Sequence, residues 1–246
     1  MAALKASWLS ASLALSLPVQ GLELVFNTYI DPPYVVQEQR GLAGVNIEIY
    51  ELLKQHSRLN ISTRLLPLKR AYLMALESPN NCVFAIERSQ ARESSFIWIS
   101  PMYISRFAVY QPQQSITPLS SIADLKQLKI GSYLGSGIGE YLETLGVEVD
   151  LAKTNLNSAK KLQRQRTQAW ASDILSSAYV HYHYSLGIQK QGFPFYSSLR
   201  AIACNKNTDA GALQTLQTSL NQLQKSGKIN EILATYEQQY QVDLGL

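Results

Sequence analysis

The stretch GLAGVNIEIYELLKQHSRLNISTRLLPLKRAYLMALESPNNCVFAI, residues 41–86, switches repeatedly between helical and strand periodicity. After the turn residues Gly41–Gly44, Val45–His56 places Val45, Ile49, Leu52 and Leu53 at helical spacing. Ile61–Leu66 then reads as β, Arg70–Glu77 as helix, and Cys82–Ile86 as a short apolar run suited to a buried strand. Upstream, Leu22–Asn27 alternates and is β-prone until Asp31-Pro32-Pro33-Tyr34 stops it, because paired prolines fix φ and remove two backbone donors. Strand, helix, strand, helix, strand predicts a parallel sheet covered by helices.

Downstream, Phe107–Gln111 is a further strand, and Pro112–Ser121 reads as a change of domain. The alternation then restarts, with strands at Lys129–Tyr133, Val147–Leu151 and Ala169–Ser172 and helices at Gly139–Leu145, Ser158–Gln165 and Ile174–Tyr182. This is a second α/β unit. Leu199–Cys204 is one more strand, and the amphipathic segments Ala212–Gln224 and Lys228–Tyr240 are separated by Gly227. There is no internal repeat or low-complexity tract.

At the N-terminus, Lys5 precedes an apolar run from Ala6 to Leu17, and Pro18 breaks it before Val19-Gln20-Gly21. This reads as a secretory signal peptide cut before Leu22 and predicts a periplasmic product; the run is about half the ~20 residues a bilayer crossing needs. The other reading, a buried first helix, lacks a polar face. The whole chain has 22 basic and 18 acidic side chains, and loss of Lys5 with the signal leaves a formal charge of +3. That balance excludes a nucleic-acid partner, and the basic run Lys160, Lys161, Arg164, Arg166 reads as a solvated helix face. His56, His181 and His183 have no metal-ligand spacing, and no nucleotide loop or GxSxG elbow occurs. No cofactor or metal is expected, and no catalysis.

Several landmarks share an order and spacing: Pro32-Pro33-Tyr34 after the first strand, Gly44-Val45-Asn46-Ile47-Glu48-Ile49, and Leu66-Pro67-Leu68-Lys69-Arg70-Ala71-Tyr72. Arg92-Glu93 follows with Phe96, Trp98 and Ser100-Pro101, then Ala123-Asp124-Leu125, Ile130-Gly131 and Gly135-Ser136-Gly137. Together they resemble the amino-acid-type family (family 3) of periplasmic solute-binding proteins of ABC transport systems, over nearly all of the chain beyond the signal. The resemblance implies the type II two-lobed fold, each lobe a mostly parallel sheet flanked by helices, joined by two crossing strands. It divides the chain into a signal peptide (1–21), the first part of lobe one (22–108), lobe two (109–197) and the completion of lobe one (198–246). It also implies hinged closure on a small ligand, a monomer, and a permease or membrane receptor as partner.

By the same resemblance Arg92 holds the ligand carboxylate, where a guanidinium fork meets two oxygens. Arg88 and Arg70 are competitors for that role, and a surface ion pair with Glu93 or Glu87 is the alternative for Arg88 or Arg92. Asp173 is expected to accept from the ligand ammonium, or else to cap the helix after it. Gly135, Ser136 and Gly137 offer backbone amides at a helix start. Tyr34, Tyr103, Tyr133 and Trp170 are candidates to wall the cleft or to pack the core. Cys82 and Cys204, on strands the resembled fold sets side by side, are expected to form a disulfide, with free buried thiols as the alternative. The ligand expected is a zwitterion, an amino acid first. An enzyme on the same fold, a dehydratase using Glu48, Glu140 or Asp173, and a sensory module are the competing functions.

Overall fold

The computed structural model describes residues 23–245, so the predicted signal peptide lies outside the described residues. In chain order the elements are β1 (Glu23–Thr28), β2 (Val36–Glu38), β3 (Gly41–Ala43), α1 (Val45–Ser57), β4 (Asn60–Leu65), α2 (Leu68–Glu77), β5 (Asn81–Arg88), α3 (Gln90–Glu93) and β6 (Ile97–Tyr110). There follow α4 (Ile122–Leu125), β7 (Lys129–Tyr133), α5 (Gly137–Thr144), β8 (Glu148–Ala152), α6 (Asn155–Gln163), β9 (Ala169–Asp173), α7 (Ile174–His183), β10 (Phe193–Cys204), α8 (Ala210–Lys225) and α9 (Lys228–Tyr240).

One sheet runs through the molecule in the order β4-β1-β5-β10-β6-β9-β7-β8. Strands β4, β1 and β5 are parallel to one another, and so are β9, β7 and β8. Between the two groups lie the long strands β6 and β10, antiparallel to each other and to their outer neighbours. The two groups are the two lobes, and β6 and β10 are the crossing strands. The lobe boundaries expected at residues 108/109 and 197/198 fall inside these strands.

Helices cover both faces of the inner strands, so β5 and β9 are buried almost throughout, while the edge strands β4 and β8 keep exposed polar residues. In lobe one, Leu24, Phe26 and Phe84 pack with Ile49 and Leu53 of α1 and Leu216 and Leu220 of α8, while Val83 and Ile86 face Ala71 and Ala75 of α2. In lobe two, Ile130 and Ala171 pack with Ile138 and Leu142 of α5, and Trp170 with Ala159 and Leu162 of α6 and Val180 of α7. Cys82 and Cys204 are opposite one another on β5 and β10 and form the expected disulfide.

The sequence reading differs from the structure chiefly in β6, which begins at Ile97 and not near Phe107. Pro101 hid this, since proline has no ladder donor. It sits opposite the register shift between Arg200 and Ile202 of β10, where no ladder bond is needed. There the side chain of Gln217 on α8 takes the place of a strand, accepting from Ser100 N and donating to Ser100 O. Gly41–Gly44, read as a turn, contains β3 of a small hairpin with β2. Gly44 is required where it stands: its φ is +112°, and a Cβ there would lie 2.3 Å from the Pro33 carbonyl oxygen. That close approach lets Val45 and Asn46, at the start of α1, donate to the carbonyls of Pro33 and Tyr34 and so fixes the Tyr34 loop.

Candidate functional site

The cleft between the lobes has a floor and a rim. At the floor, Arg200 on β10 stands opposite Glu87 on β5, both within 1% of complete burial. Two charges facing each other inside a sheet are costly to desolvate unless they are paired and hydrogen-bonded. Arg200 is well held: Nε donates to Ser105 Oγ at 2.9 Å, and Nη1 to the Ala85 carbonyl at 3.1 Å and to the Tyr29 hydroxyl at 3.2 Å. The Ala85 carbonyl is available because Ala85 has φ +59°, a left-handed kink that an alanine rarely adopts and that breaks the alternation of β5. Glu87 is not well held. Among the described residues its one salt bridge is to Arg200 Nη2 at 3.5 Å, and both carboxylate oxygens are buried without a hydrogen-bond donor. Lobe two closes directly onto it, for a Cβ on Gly137 at the start of α5 would lie 2.9 Å from Glu87 Cβ.

Asp31 and Asp173 complete the floor, at 4% and 5% exposure. Burial pushes the Asp31 carboxyl up to about 7; Arg200 opposes the shift, and Asp173 and Glu87 add to it. Burial also raises Asp173, with Arg200 and the Tyr34 hydroxyl opposing. Asp173 is the N-cap of α7: its Oδ1 accepts from the amides of Leu175 and Ser176 at 2.9 and 3.1 Å. The same oxygen accepts from the Tyr34 hydroxyl at 2.8 Å, a hydrogen bond from one lobe to the other.

At the rim, Arg92 is 3% exposed and lies over the Tyr72 ring. Its Nε donates to Glu140 Oε2 at 3.0 Å and its Nη2 to Glu140 Oε1 at 2.7 Å, a two-pronged pair between α3 of lobe one and α5 of lobe two. Nη2 also reaches the Gly135 carbonyl at 2.9 Å, and Nη1 is buried without a partner. A groove of about 500 Å³ opens here, lined by Lys69, Tyr72, Arg92, Tyr133, Gly135 and Glu140 among others.

Of the residues singled out in the sequence, Arg92, Asp173, Tyr34, Gly135, Ser136 and Gly137 therefore gather between the lobes. Three do not. Arg88 turns outward to Glu93, with Nε to Oε2 at 2.8 Å, and is the surface pair that was its alternative reading. Arg70 is exposed on α2. Trp170 is in the core of lobe two, its Nε1 donating to Asn155 Oδ1, so it packs the sheet and does not wall the cleft. Gly135 presents its carbonyl to Arg92, and Ser136 caps α5 by accepting from Gly139 N at 3.2 Å. Among the described residues no group of His, Cys, Asp and Glu is arranged to hold a metal ion.

Arg200, Glu87 and Asp31 were missed. The signal was present: Leu199–Cys204 carries one arginine inside an otherwise small and apolar strand, and Glu87 directly follows the apolar run Cys82–Ile86. A charge inside a run that folds as a central strand must find a buried partner.

This architecture is the fold of type II periplasmic binding proteins, two α/β lobes joined by two crossing strands. No protein-family model matches the chain, and no curated protein matches it by sequence. Among solved structures it is similar to an ancestral arginine-binding protein bound to arginine, at 19% identity and a TM-score of 0.76, covering 87% of this chain and 97% of that one. It is similar also to a histidine kinase sensor domain resembling periplasmic binding proteins, at 19% identity and a TM-score of 0.80, covering 88% and 96%. A third is the ancestral amino acid-binding protein AncCDT-1, a precursor of cyclohexadienyl dehydratase, at 15% identity and a TM-score of 0.74, covering 87% and 95%. At these identities the likeness is one of fold.

Proposed function

We propose that this chain binds a small solute bearing an ammonium or guanidinium group, closes its lobes around it and does no chemistry on it. The observation that carries this reading is Glu87, whose two oxygens lie fully buried between the lobes with no donor to meet them. An unsatisfied buried carboxylate costs several kcal/mol, and a solute cation is the partner that would remove the cost. An amino acid is the solute class expected from the sequence, and proteins of the same fold bind arginine. Its ammonium would meet Glu87, Asp31 and Asp173, and its carboxylate would have to take Arg92 from Glu140. The setting is the periplasm, with delivery to an ABC permease or a membrane receptor; the sensor-domain neighbour supports the latter partner.

A dehydratase is the second reading, supported by Asp31, a buried carboxyl poised at about 7, and by the dehydratase precursor among the neighbours. The two separate in one experiment. Isothermal calorimetry of the protein with amines, amino acids and small carboxylates should show saturable binding without turnover, and Glu87→Gln should abolish it while the melting curve stays cooperative. Undiminished binding by that variant would refute the role of Glu87.

A further inference from the structure

The rim arginine already holds a carboxylate. Two of the three nitrogens of Arg92 are committed to Glu140 at 3.0 and 2.7 Å, and Nη2 is shared with the Gly135 carbonyl. The Nε/Nη2 edge of the guanidinium takes one carboxylate at a time, and here the opposite lobe of the same chain fills it while the Gly135 carbonyl occupies the Nη2 side of the other edge, leaving only Nη1 without a partner. The floor has the opposite need. Glu87 faces the guanidinium of Arg200 there with no donor on either oxygen, and Asp31 and Asp173, the other two floor carboxyls, are buried as well. With Arg92 paired to Glu140, the buried floor groups are three carboxyls, Asp31, Glu87 and Asp173, against one guanidinium, Arg200, an excess of acid groups.

We infer that Glu140 sets the specificity of the cleft: it stands in for a ligand carboxylate at Arg92, so the solute taken is an amine, selected against the amino acid with the same side chain. The inference rests on the solute-binding reading above. An amine supplies donors to Glu87, offsets the acid excess and leaves the Arg92–Glu140 bridge between the lobes closed. The matching amino acid carries one net positive charge fewer than the amine and must expel Glu140 to place its carboxylate. Glu140 can yield, since its side chain is 48% exposed and would be re-solvated outside.

The test uses decarboxylated pairs: agmatine against arginine, cadaverine against lysine, and putrescine against ornithine. Calorimetry on the wild-type protein should give at least one amine that binds about tenfold or more tighter than its amino acid, the equivalent of one charge-assisted hydrogen bond. In Glu140→Ala and Glu140→Gln, the ratio of amino-acid to amine affinity should rise by about tenfold, whatever both ligands lose with the bridge between the lobes. Glu140→Gln keeps the side-chain shape, and circular dichroism with a melting curve confirms the fold of both. A wild-type protein that binds the amino acid as tightly as the amine, or variants that leave the ratio unchanged, would overturn the inference while the solute-binding reading stands. Failure of every pair and of small carboxylates to bind would overturn both.

Discussion

Arg92 and Arg200 are both enclosed, at 3% and 0% exposure, yet they are held in opposite ways. The partners of Arg200, namely Ser105, Tyr29, Ala85 and Glu87, lie in lobe one and on β6, a crossing strand, so they persist when the lobes part. The partners of Arg92, Glu140 and the Gly135 carbonyl, belong to lobe two and are lost on opening. The Arg200 part of the floor is thus built into the framework of lobe one and the crossing strands, whereas the rim is a set of contacts that exists in the closed state. Burial alone does not distinguish them; the lobe that supplies the partner does.

If the floor is framework, removing the groups that tie its strands together should cost more stability than removing a rim group, whose loss should mainly open the protein. The largest effect is expected from the disulfide, which joins β5 to β10 on the same two strands that carry Glu87 and Arg200. Cys82 and Cys204 are 122 residues apart, so replacing both with alanine should cost about 4–5 kcal/mol in the chain-entropy account. Guanidinium denaturation of the double variant measures this. Arg200→Met should follow at about 3–5 kcal/mol, because it strands Glu87 as a buried, unpaired charge. Arg92→Met should cost only about 1–2 kcal/mol, since the Glu140 it releases is half exposed and can return to water. Equal losses for the two arginine variants would erase the distinction between floor and rim.

The floor also has its own pH dependence. The Asp31 carboxyl is lifted to about 7 from an ordinary 3.8, so the folded state binds that proton more tightly than the unfolded chain does. The stability this supplies is fully present below about pH 4 and is lost as pH rises through 7. Asp31→Asn should therefore flatten the fall in stability between those limits and leave the variant more stable than wild type at pH 8, by about 2–4 kcal/mol. Denaturant midpoints for both proteins across that range decide the point. A parallel decline in wild type and variant would place the titrating group elsewhere, Asp173 first.

The lobes, nearly every helix and the position of Arg92 were legible in the sequence, because hydrophobic period reports which face of an element is covered. The strand β6 was legible only in its last turn of residues, since Pro101 masks a strand whose ladder is interrupted at that place. Glu87 and Arg200 were not legible as a site. Each looks like a strand-end charge until the antiparallel register of β5 and β10 sets one opposite the other, and register is a long-range property. The partner of Arg92 was hidden for the same reason: Glu140 is 48 residues away and on the other lobe.

The smallest effect concerns one hydroxyl that joins the floor to lobe two. Tyr34 donates to Asp173 across the cleft at 2.8 Å, while its ring stacks on Tyr103 with centroids 5.7 Å apart. Tyr34→Phe keeps the stack and removes only the donor. Asp173 would still accept from the amides of Leu175 and Ser176, so α7 keeps its cap and the fold should lose little. What changes is closure: a hydrogen bond to a charged acceptor contributes about 1.5 kcal/mol, which would shift the closed-to-open ratio toward open about tenfold. Tyr103→Phe is the matched control, because its hydroxyl donates to Asn46 within lobe one at 2.6 Å. That variant should lower the denaturation midpoint and leave the open population alone. Small-angle scattering, or a distance label on each lobe, reads the difference. Equal opening in both variants would mean that closure depends on packing around the tyrosine pair and not on which lobe receives the hydrogen bond.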